Sequence, residues 1–287
     1  MPNLKEVVLI SGKGGTGKTS LVASAIPYIN QLIIADCDVD APDLNLLFGE
    51  KIKSSLPFIG AKKAVIEASL CSECGDCIDN CKFDAISEDF RIDAFQCEGC
   101  GVCEWVCLND AIQMQDKVAG HILISDTPYG EMVHGKLIPG EENSGKLVAQ
   151  VRQIAKQRAQ KQGLSHIIID GSPGIGCSVI ASITGVHRVV IVIEPTLSGL
   201  HDLKRVYQLS SQFHTQISVI INKWDLCVSM SEHIQAYCEN KKIEIDAKIP
   251  FNPIMVEAIS HKKIPSVYAP EFFKQLHFKQ IIEHWFE

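Results

Sequence analysis

Short, uninterrupted apolar runs alternate along the chain with longer stretches of helical periodicity. A Val/Ile-rich run without polar alternation is typical of a strand that is covered on both faces. Such strands are predicted at residues 6–10, 32–35, 166–170, 189–193 and 218–221, with an alternating strand at 243–249 and helices at 18–28, 144–161 and 199–212. This alternation indicates a doubly wound, mostly parallel α/β sheet.

One segment, residues 62–117, interrupts this alternation and contains an internal duplication. Its residues 81–86, CKFDAI, are echoed by residues 107–112, CLNDAI. Two repeats with four cysteines each suggest a module with pseudo-twofold symmetry. We therefore expect a discontinuous main domain, 1–61 and 118–287, and an inserted domain, 62–117. A hairpin is predicted around residues 127–130.

Composition narrows the class of protein. The 287 residues are 46% hydrophobic and 21% charged, as in ordinary globular proteins. A net charge of −7 argues against electrostatic binding to nucleic acid or anionic lipid. No apolar run of about 18 residues is present, so no membrane span is expected. A cleaved signal peptide would remove the glycine-rich loop described next, so we expect a cytoplasmic protein whose twelve cysteines are metal ligands or free thiols.

A glycine-rich, phosphate-binding loop follows the first predicted strand. Residues 12–19, GKGGTGKT, fit G-x-x-x-x-G-K-[ST], a motif that aims backbone N–H groups and a helix N-terminus at phosphate. Lys18 is expected to reach the β- and γ-phosphates, and the Thr19 hydroxyl to bind Mg²⁺. The predicted nucleotide-binding residues here are Gly12, Lys13, Gly14, Gly15, Thr16, Gly17, Lys18, Thr19 and Ser20.

Acidic residues follow two further strands, at the sheet edge where ligands of such folds bind. Asp170 ends the strand at 166–170 and is predicted to hold Mg²⁺ through water. Asp36, Asp38 and Asp40 follow the strand at 32–35. For Asp36 and Asp40, capping of a helix or turn is the alternative to a role in the site.

Eight of the twelve cysteines stand in two runs with the spacing C-x2-C-x2-C-x3-C. This spacing places thiolates around an iron–sulfur cubane, and the fourth cysteine of each run serves the other cluster. Zinc is the alternative metal for such soft ligands. The proline that usually follows the fourth cysteine is replaced by Lys82 and Leu108, which leaves the ligands unchanged. One [4Fe–4S] cluster is expected on Cys71, Cys74, Cys77 and Cys107, and a second on Cys81, Cys97, Cys100 and Cys103.

The glycine-rich loop contains a second lysine, Lys13, and its pattern K-G-G-x-G-K-[ST] resembles that of the deviant-Walker ATPases. This superfamily includes MinD, ParA, the Mrp-type iron–sulfur carriers and the nitrogenase iron protein. The resemblance extends to residues 140–148, to D-x-x-P-G at 170–174, and to 194–202 and 222–225, so it covers nearly the whole chain. The sequence thus resembles a MinD/Mrp-superfamily P-loop ATPase with an inserted, small α+β domain like a bacterial 2[4Fe–4S] ferredoxin.

The resemblance implies an ATP-dependent homodimer, or a heterodimer with a paralogue, in which Lys13 reaches the partner's phosphates. A solvated loop lysine is the alternative. It also implies that Asp38 lies near Mg²⁺ and orients or activates the attacking water, and that Asn222 contacts adenine. GTP stays open as the nucleotide because residues 222–225, NKWD, fit N-K-x-D, although Asp225 could instead begin a helix.

The remaining cysteines and the C-terminal segment have less specific patterns. Cys177 falls where the nitrogenase iron protein has a cluster ligand, but the second such position is Asn143, so a buried small residue is the favoured interpretation. The same interpretation applies to Cys37, Cys227 and Cys238. Residues 272–286 have an amphipathic helical pattern with mixed charges, so we expect packing on the sheet rather than on a membrane.

Three functions are compatible with the sequence. The first is an ATPase that couples nucleotide binding to electron transfer through two clusters, with a redox partner protein. The second is an iron–sulfur assembly or carrier ATPase, although eight ligands hold clusters more firmly than a carrier needs. The third is a positioning ATPase like MinD or ParA, which leaves the insert unexplained. The first is favoured, because the insert lies between Asp38 and Asp170, in the stretch expected to respond to nucleotide.

Overall fold

The computed structural model describes residues 4–287 and divides the chain into two compact units. The first, called the sheet unit, comprises the described residues up to Ser55 together with Ile122–Lys136 and Ser144–Glu287. The second, called the cysteine unit, comprises Leu56–His121 and Leu137–Asn143. The cysteine unit thus contains all eight motif cysteines.

The described residues form nine strands and twelve helices. The strands are β1 (Lys5–Ser11), β2 (Leu32–Asp36), β3 (Lys51–Ile66), β4 (Ile112–Thr127), β5 (Gly130–Leu137), β6 (His166–Pro173), β7 (Arg188–Ile193), β8 (Gln216–Asn222) and β9 (Glu244–Ile249). The helices are α1 (Lys18–Ala25), α2 (Asn45–Phe48), α3 (Asp76–Asp79), α4 (Val102–Val106), α5 (Ser144–Gln162), α6 (Cys177–Ile183), α7 (Leu197–Ser210), α8 (Val228–Lys241), α9 (Pro253–Ser260), α10 (Pro265–Tyr268), α11 (Pro270–Gln275) and α12 (Phe278–Trp285).

The strands follow the order β3-β4-β5-β2-β6-β1-β7-β8-β9. Every pairing from β5 across to β9 is parallel. Parallel strands need crossover connections that cover the sheet, so β1, β2, β6 and β7 are buried almost throughout. The mostly parallel α/β sheet predicted from the apolar runs is confirmed. Because β1 lies between β6 and β7, the loop that follows β1 lies near the middle of the edge formed by the carboxyl ends of the parallel strands.

Two predicted helices differ in extent from the observed ones. The helix predicted at 18–28 ends at Ala25, and Pro27 lies in a following 3₁₀ turn because it cannot donate to an α-helical ladder. The single helix predicted at 272–286 is instead α11 and α12, since His277 between them has a left-handed backbone with φ 51°.

The expected packing of the C-terminal segment on the sheet is confirmed. Phe273, Phe278 and Trp285 are fully buried and belong to the main apolar core of the sheet unit, together with residues of β1 and β2. Within residues 4–287, no helix is both long and apolar enough to cross a membrane.

In the cysteine unit, the two cysteine runs share the same backbone conformation. Gly75 and Gly101 have left-handed conformations (φ 89° and 77°) immediately before α3 and α4. Asp84 and Asp110, each three residues after a fourth cysteine, have φ values of 50° and 51°. The duplication seen in the sequence is therefore also a duplication of local structure.

Candidate functional site

The glycine-rich loop leads from β1 into α1 and lines a cleft of about 510 Å³, within the usual size range of small-molecule sites. Gly17 has a left-handed backbone (φ 87°), which turns the chain so that α1 begins at Lys18. A side chain at residue 17 would also meet Asn222, whose Nδ2 lies 2.5 Å from where a Cβ would stand. The cleft is lined by Ser11, Gly14, Gly15, Thr16, Gly17, Lys18, Thr19, Ser20, Asp38, Asp40, Ala41, Asp43, Ser172 and Pro173.

Lys18 lies in this cleft among carboxylates. Its Nζ directly contacts Oδ1 of Asp170 and lies 3.8 Å from Oδ2 of Asp38 and 3.3 Å from Oγ1 of Thr19. Burial lowers the pKa of Lys18, but attraction by Asp170, with further contributions from Asp38 and Asp36, raises the pKa above its usual value. Lys18 is therefore charged and acts as the counter-ion of these acids.

Two buried oxygen atoms at the site have no hydrogen-bond partner among the described residues. They are Oδ2 of Asp170 and Oγ1 of Thr16. A buried polar atom without a partner is unfavourable, and such atoms often mark the place of a bound ion or ligand. Asp170, Asp38 and Thr19 together offer the oxygen ligands that Mg²⁺ prefers. The residues present thus fit a Mg²⁺ ion bound beside the glycine-rich loop.

Asp36 closes the loop that carries Asp38. Its Oδ1 accepts a hydrogen bond from the backbone N–H of Asp38 at 3.0 Å, and its Oδ2 accepts from Leu44 at 3.4 Å. These contacts support the capping alternative for Asp36. Burial and the neighbouring Asp170 raise the pKa of Asp36 well above its usual value. Burial also raises the pKa of Asp38 to about 6, opposed by Lys18 and reinforced by Asp170.

Lys13 is held within its own chain. Its Nζ lies 3.2 Å from Oγ of Ser198, 3.5 Å from Oγ1 of Thr196 and 3.8 Å from Oε2 of Glu194. Glu194 also pairs with Lys223 at 2.5 Å, so one carboxylate holds two lysines. Local sequence patterns do not relate Lys13 to these partners, because the sheet brings together residues that are about 180 positions apart.

Asn222 ends β8 and faces the glycine-rich loop. Its Nδ2 donates to the carbonyl oxygen of Thr16 at 2.7 Å, and its Oδ1 accepts from the N–H of Lys223 at 3.1 Å. Asn222 therefore supports the loop in this structure, and its contact with adenine stays a prediction. The carboxylate of Asp225 is also engaged, since Oδ1 accepts from the N–H of Phe251 at 2.6 Å.

The motif cysteines line two separate cavities in the cysteine unit. Each cavity has three cysteines from one run and the fourth cysteine from the other run. Backbone N–H groups donate to the sulfur at equivalent positions, from Ala85 to Cys81 at 3.4 Å and from Ala111 to Cys107 at 3.3 Å. Cys71, Cys74, Cys77 and Cys107 line one cavity, and Cys81, Cys97, Cys100 and Cys103 line the other.

The spacing of the sulfur atoms bears on which metal could be bound. In a tetrahedral zinc site with Zn–S distances of about 2.3 Å, the sulfurs are about 3.8 Å apart. Within the described part of the chain, no three cysteine sulfurs lie within 4.8 Å of one another, whereas ligand atoms of Glu244, Asp246 and His284 do. The two sets are therefore not pre-arranged at the spacing of a zinc site, and their thiolates are soft ligands suited to an iron–sulfur cluster or to zinc.

The other four cysteines divide into a buried and an exposed pair. Cys37 and Cys238 are buried, as expected for small apolar residues. Cys177 and Cys227 are exposed, so the interpretation of both as buried residues is wrong. Cys177 is the first residue of α6 and Cys227 immediately precedes α8, and at both helix starts the side chain faces solvent.

Most of the chain matches a known family of nucleotide-binding domains. Residues 7–265 match the family described as the CobQ/CobB/MinD/ParA nucleotide binding domain. The chain belongs to this family. Two relatives are described as uncharacterized proteins of Methanocaldococcus jannaschii. MJ0578 is 36% identical over 223 residues, covering 77% of this chain and 78% of its own length. MJ0579 is 27% identical over 276 residues, covering 90% of each chain.

Solved structures of the CobQ/CobB/MinD/ParA type have the same fold. The septum site-determining protein MinD of Pyrococcus horikoshii, complexed with Mg-ADP, gives a TM-score of 0.57 at 16% identity and covers 98% of this chain and 95% of its own. The cell division protein MinD of Aquifex aeolicus gives 0.55 at 18% identity, covering 99% and 98%. These likenesses support the MinD/ParA-type fold, and the family match supports nucleotide binding at the cleft.

Proposed function

We propose that the chain is a Mg²⁺-dependent ATPase that couples ATP binding, in a dimer, to electron transfer through two [4Fe–4S] clusters. The observation that carries the proposal is the pair of four-cysteine cavities in a chain that also has a phosphate-binding cleft. The phosphate-binding cleft does not explain the cysteine cavities, and the cysteine cavities do not explain the cleft. An ATPase needs no thiolates, and a simple electron carrier needs no nucleotide.

In the nucleotide site, the chain's own residues provide phosphate binding and metal binding. The backbone N–H groups of residues 12–17 and the start of α1 face the phosphates. Lys18, which neutralises Asp170 in this structure, would turn to the phosphates while Asp170 and Asp38 hold Mg²⁺ together with Thr19. Asp38, with its pKa raised to about 6 by burial, is suited to orient the attacking water.

Dimerisation would move Lys13 from its own chain to the partner's phosphates. Among residues 4–287, Lys13 is held only by two hydroxyls and by a carboxylate that already has a second lysine. Because these contacts lie at the surface, they are weak and can be exchanged for a phosphate. We propose ATP as the nucleotide in line with the Mg-ADP bound to the MinD of Pyrococcus horikoshii.

In the cysteine unit, the eight thiolates would each bind one iron atom and hold the two clusters permanently. When bound, the clusters would supply reversible one-electron transfer. The chain contributes the crossed ligand sets and the backbone N–H groups that donate to the sulfurs of Cys81 and Cys107. It also contributes surrounding apolar residues, which include Ala64, Ile86 and Ile112. These features set the potential through hydrogen bonding and solvent exclusion.

A carrier ATPase, with the clusters as cargo, is the second candidate. The exposure of Cys74 and Cys100 favours it, because a transferable cluster needs ligands that an acceptor can reach. Six less exposed cysteines favour permanent binding.

The proposal is tested with anaerobically reconstituted protein by redox titration followed by EPR. We expect two reversible clusters and a change of potential on adding MgATP but not on adding Mg²⁺ alone. Transfer of intact clusters to an apo-ferredoxin would favour the carrier function instead. Failure of the clusters to reduce reversibly, with no transfer, would leave an ATPase of the positioning kind.

Single Cys→Ser variants test the crossed ligand sets in the same experiment. Cys74→Ser and Cys107→Ser, although in different runs, should alter the same EPR signal. Cys81→Ser and Cys100→Ser should alter the other signal. Cys227→Ser is the matched control, because Cys227 is exposed and outside both cavities, and it should alter neither.

A further inference from the structure

The two cysteine repeats differ in polarity at several equivalent, exposed positions, and at two of them, Leu70/Gln96 and Phe83/Asn109, the apolar residue is in the first repeat. Counted from the first cysteine of each run, Ser69, Asp79 and Lys82 in the first repeat correspond to Phe95, Trp105 and Leu108 in the second. Phe95, Trp105 and Leu108 are 83%, 87% and 89% exposed. We call these three residues the apolar set.

The fold of the unit does not require the apolar set. The first repeat has the same backbone conformation with polar residues at all three positions, so the local structure forms without apolar side chains there. Nearly complete exposure also means that these side chains bury almost nothing within the chain. Large apolar residues that remain in water commonly mark a surface that binds another protein.

The apolar set flanks cysteines of both cavities. Trp105 lies between Cys103, which lines one cavity, and Cys107, which lines the other, and Leu108 directly follows Cys107. Phe95 precedes Cys97 by two residues. Very few covalent bonds would therefore separate a protein docked on these residues from ligands of both proposed clusters.

Charge indicates what kind of protein fits this surface. The cysteine unit has five Lys and Arg residues against fourteen Asp and Glu residues, a net charge of −9. The whole chain has a net charge of −7, so the rest of the chain is slightly positive. Negative charge is thus concentrated in the unit that carries the apolar set, and a complementary partner has an apolar socket surrounded by lysine or arginine.

We propose that Phe95, Trp105 and Leu108 form the contact surface for a basic redox protein that exchanges electrons with the clusters. This inference rests on the proposed electron-transfer function and names its partner class. Electron exchange needs close approach of the two redox centres, and the apolar set provides the contact while the acidic charge speeds encounter.

The test restores the first repeat's residues in the second repeat. The variant Trp105→Asp/Leu108→Lys introduces side chains that the equivalent positions already tolerate. Val256→Lys, which replaces another well-exposed apolar residue in the sheet unit, is the matched control. Iron content and EPR spectra of all proteins should be equal, which shows that the variants fold and retain clusters.

The probe is a small, basic c-type cytochrome in its ferric state, with dithionite-reduced protein freed of excess dithionite. Each electron that leaves a reduced cluster converts one ferric haem to ferrous haem. We expect the double variant to reduce the cytochrome at least 10-fold more slowly than the unsubstituted protein and the control, with the small, high-potential dye dichlorophenolindophenol reduced equally fast by all three. Equal cytochrome rates would overturn the docking proposal.

Two other outcomes are also decisive. If even the unsubstituted protein, once reduced, fails to pass electrons to dichlorophenolindophenol, the electron-transfer function itself fails. If sedimentation shows that the double variant converts a dimer to a monomer, the apolar set is an interface between two copies of this chain, and the redox-partner proposal is wrong.

Discussion

Replacing Lys18 with methionine tests whether this lysine neutralises the acidic residues of the cleft. Methionine keeps most of the apolar stem and removes the ammonium group. The side chain of Lys18 is 6% exposed and contacts Asp170, which is 1% exposed. The substitution therefore leaves the buried carboxylate of Asp170 and the partly buried carboxylate of Asp38 without their cation.

The expected loss of stability is large. Removing one partner of a buried ion pair generally costs about 3–5 kcal/mol, because the remaining charge stays desolvated. At roughly 2–4 °C per kcal/mol for a domain of this size, the Tm of the nucleotide-free protein should fall by roughly 6–20 °C. The loss should be smaller at pH 5 than at pH 8, since Asp38, with a pKa of about 6, is protonated at the lower pH.

Thermal unfolding followed by far-UV circular dichroism measures the effect, and Lys13→Met is its matched control. Lys13 belongs to the same loop, but its side chain is 36% exposed and 3.8 Å from Glu194. Surface pairs contribute about 0–1 kcal/mol, so the Tm of the control should fall by less than about 4 °C. Both variants should lose ATPase activity. If Lys18→Met melts no lower than Lys13→Met, the counter-ion argument is refuted.

Two further predictions concern one residue each. Gly99→Ala should lower the iron content of the reconstituted protein by about half. A Cβ at residue 99, which directly precedes Cys100, would stand 2.1 Å from the carbonyl oxygen of Lys62. Iron analysis measures the effect, and an unchanged iron content would contradict the prediction. The pKa of His284 is raised mainly by Glu287, so its stabilising effect is present below about pH 6.5 and is lost as the pH rises through the raised pKa. The Tm of His284→Gln should therefore depend less on pH between about 6 and 8.5 than that of the unsubstituted protein, and equal slopes would exclude the effect.

The parallel sheet was predictable from the sequence because its signal is local. Strands such as β1 and β7 are continuous Val/Ile runs, and the glycine-rich loop directly follows one of them. Element ends were less predictable. The turn at His277 that separates α11 from α12 places a non-glycine residue in the left-handed conformation, and the rings of Phe273 and Phe278 pack against each other on either side of it.

The electrostatics of the site could not be predicted from the sequence. Patterns identified Lys18, Asp38 and Asp170 as candidates but not the ion pair between Lys18 and Asp170, because that pair depends on the register of β1 and β6. For the same reason, no local pattern shows that Asp36 ties the ends of its loop together or that Glu194 holds Lys13. The grouping of the cysteines could be predicted, because the cysteines of each run lie only three or four residues apart in the sequence. That clusters occupy the two cavities is the proposal made above.

The shared carboxylate of Glu194 makes the resting position of Lys13 easy to leave. When Lys13 departs, Lys223 still neutralises Glu194 at 2.5 Å, so no unpaired charge is left behind. The contacts that are given up are worth about 1 kcal/mol, whereas a nucleotide bound with micromolar Kd contributes about 8 kcal/mol. If Lys13 moves to a partner's phosphates as proposed, the nucleotide needs only a small part of its binding free energy to dictate where Lys13 lies, because the fold sets a low threshold for that movement.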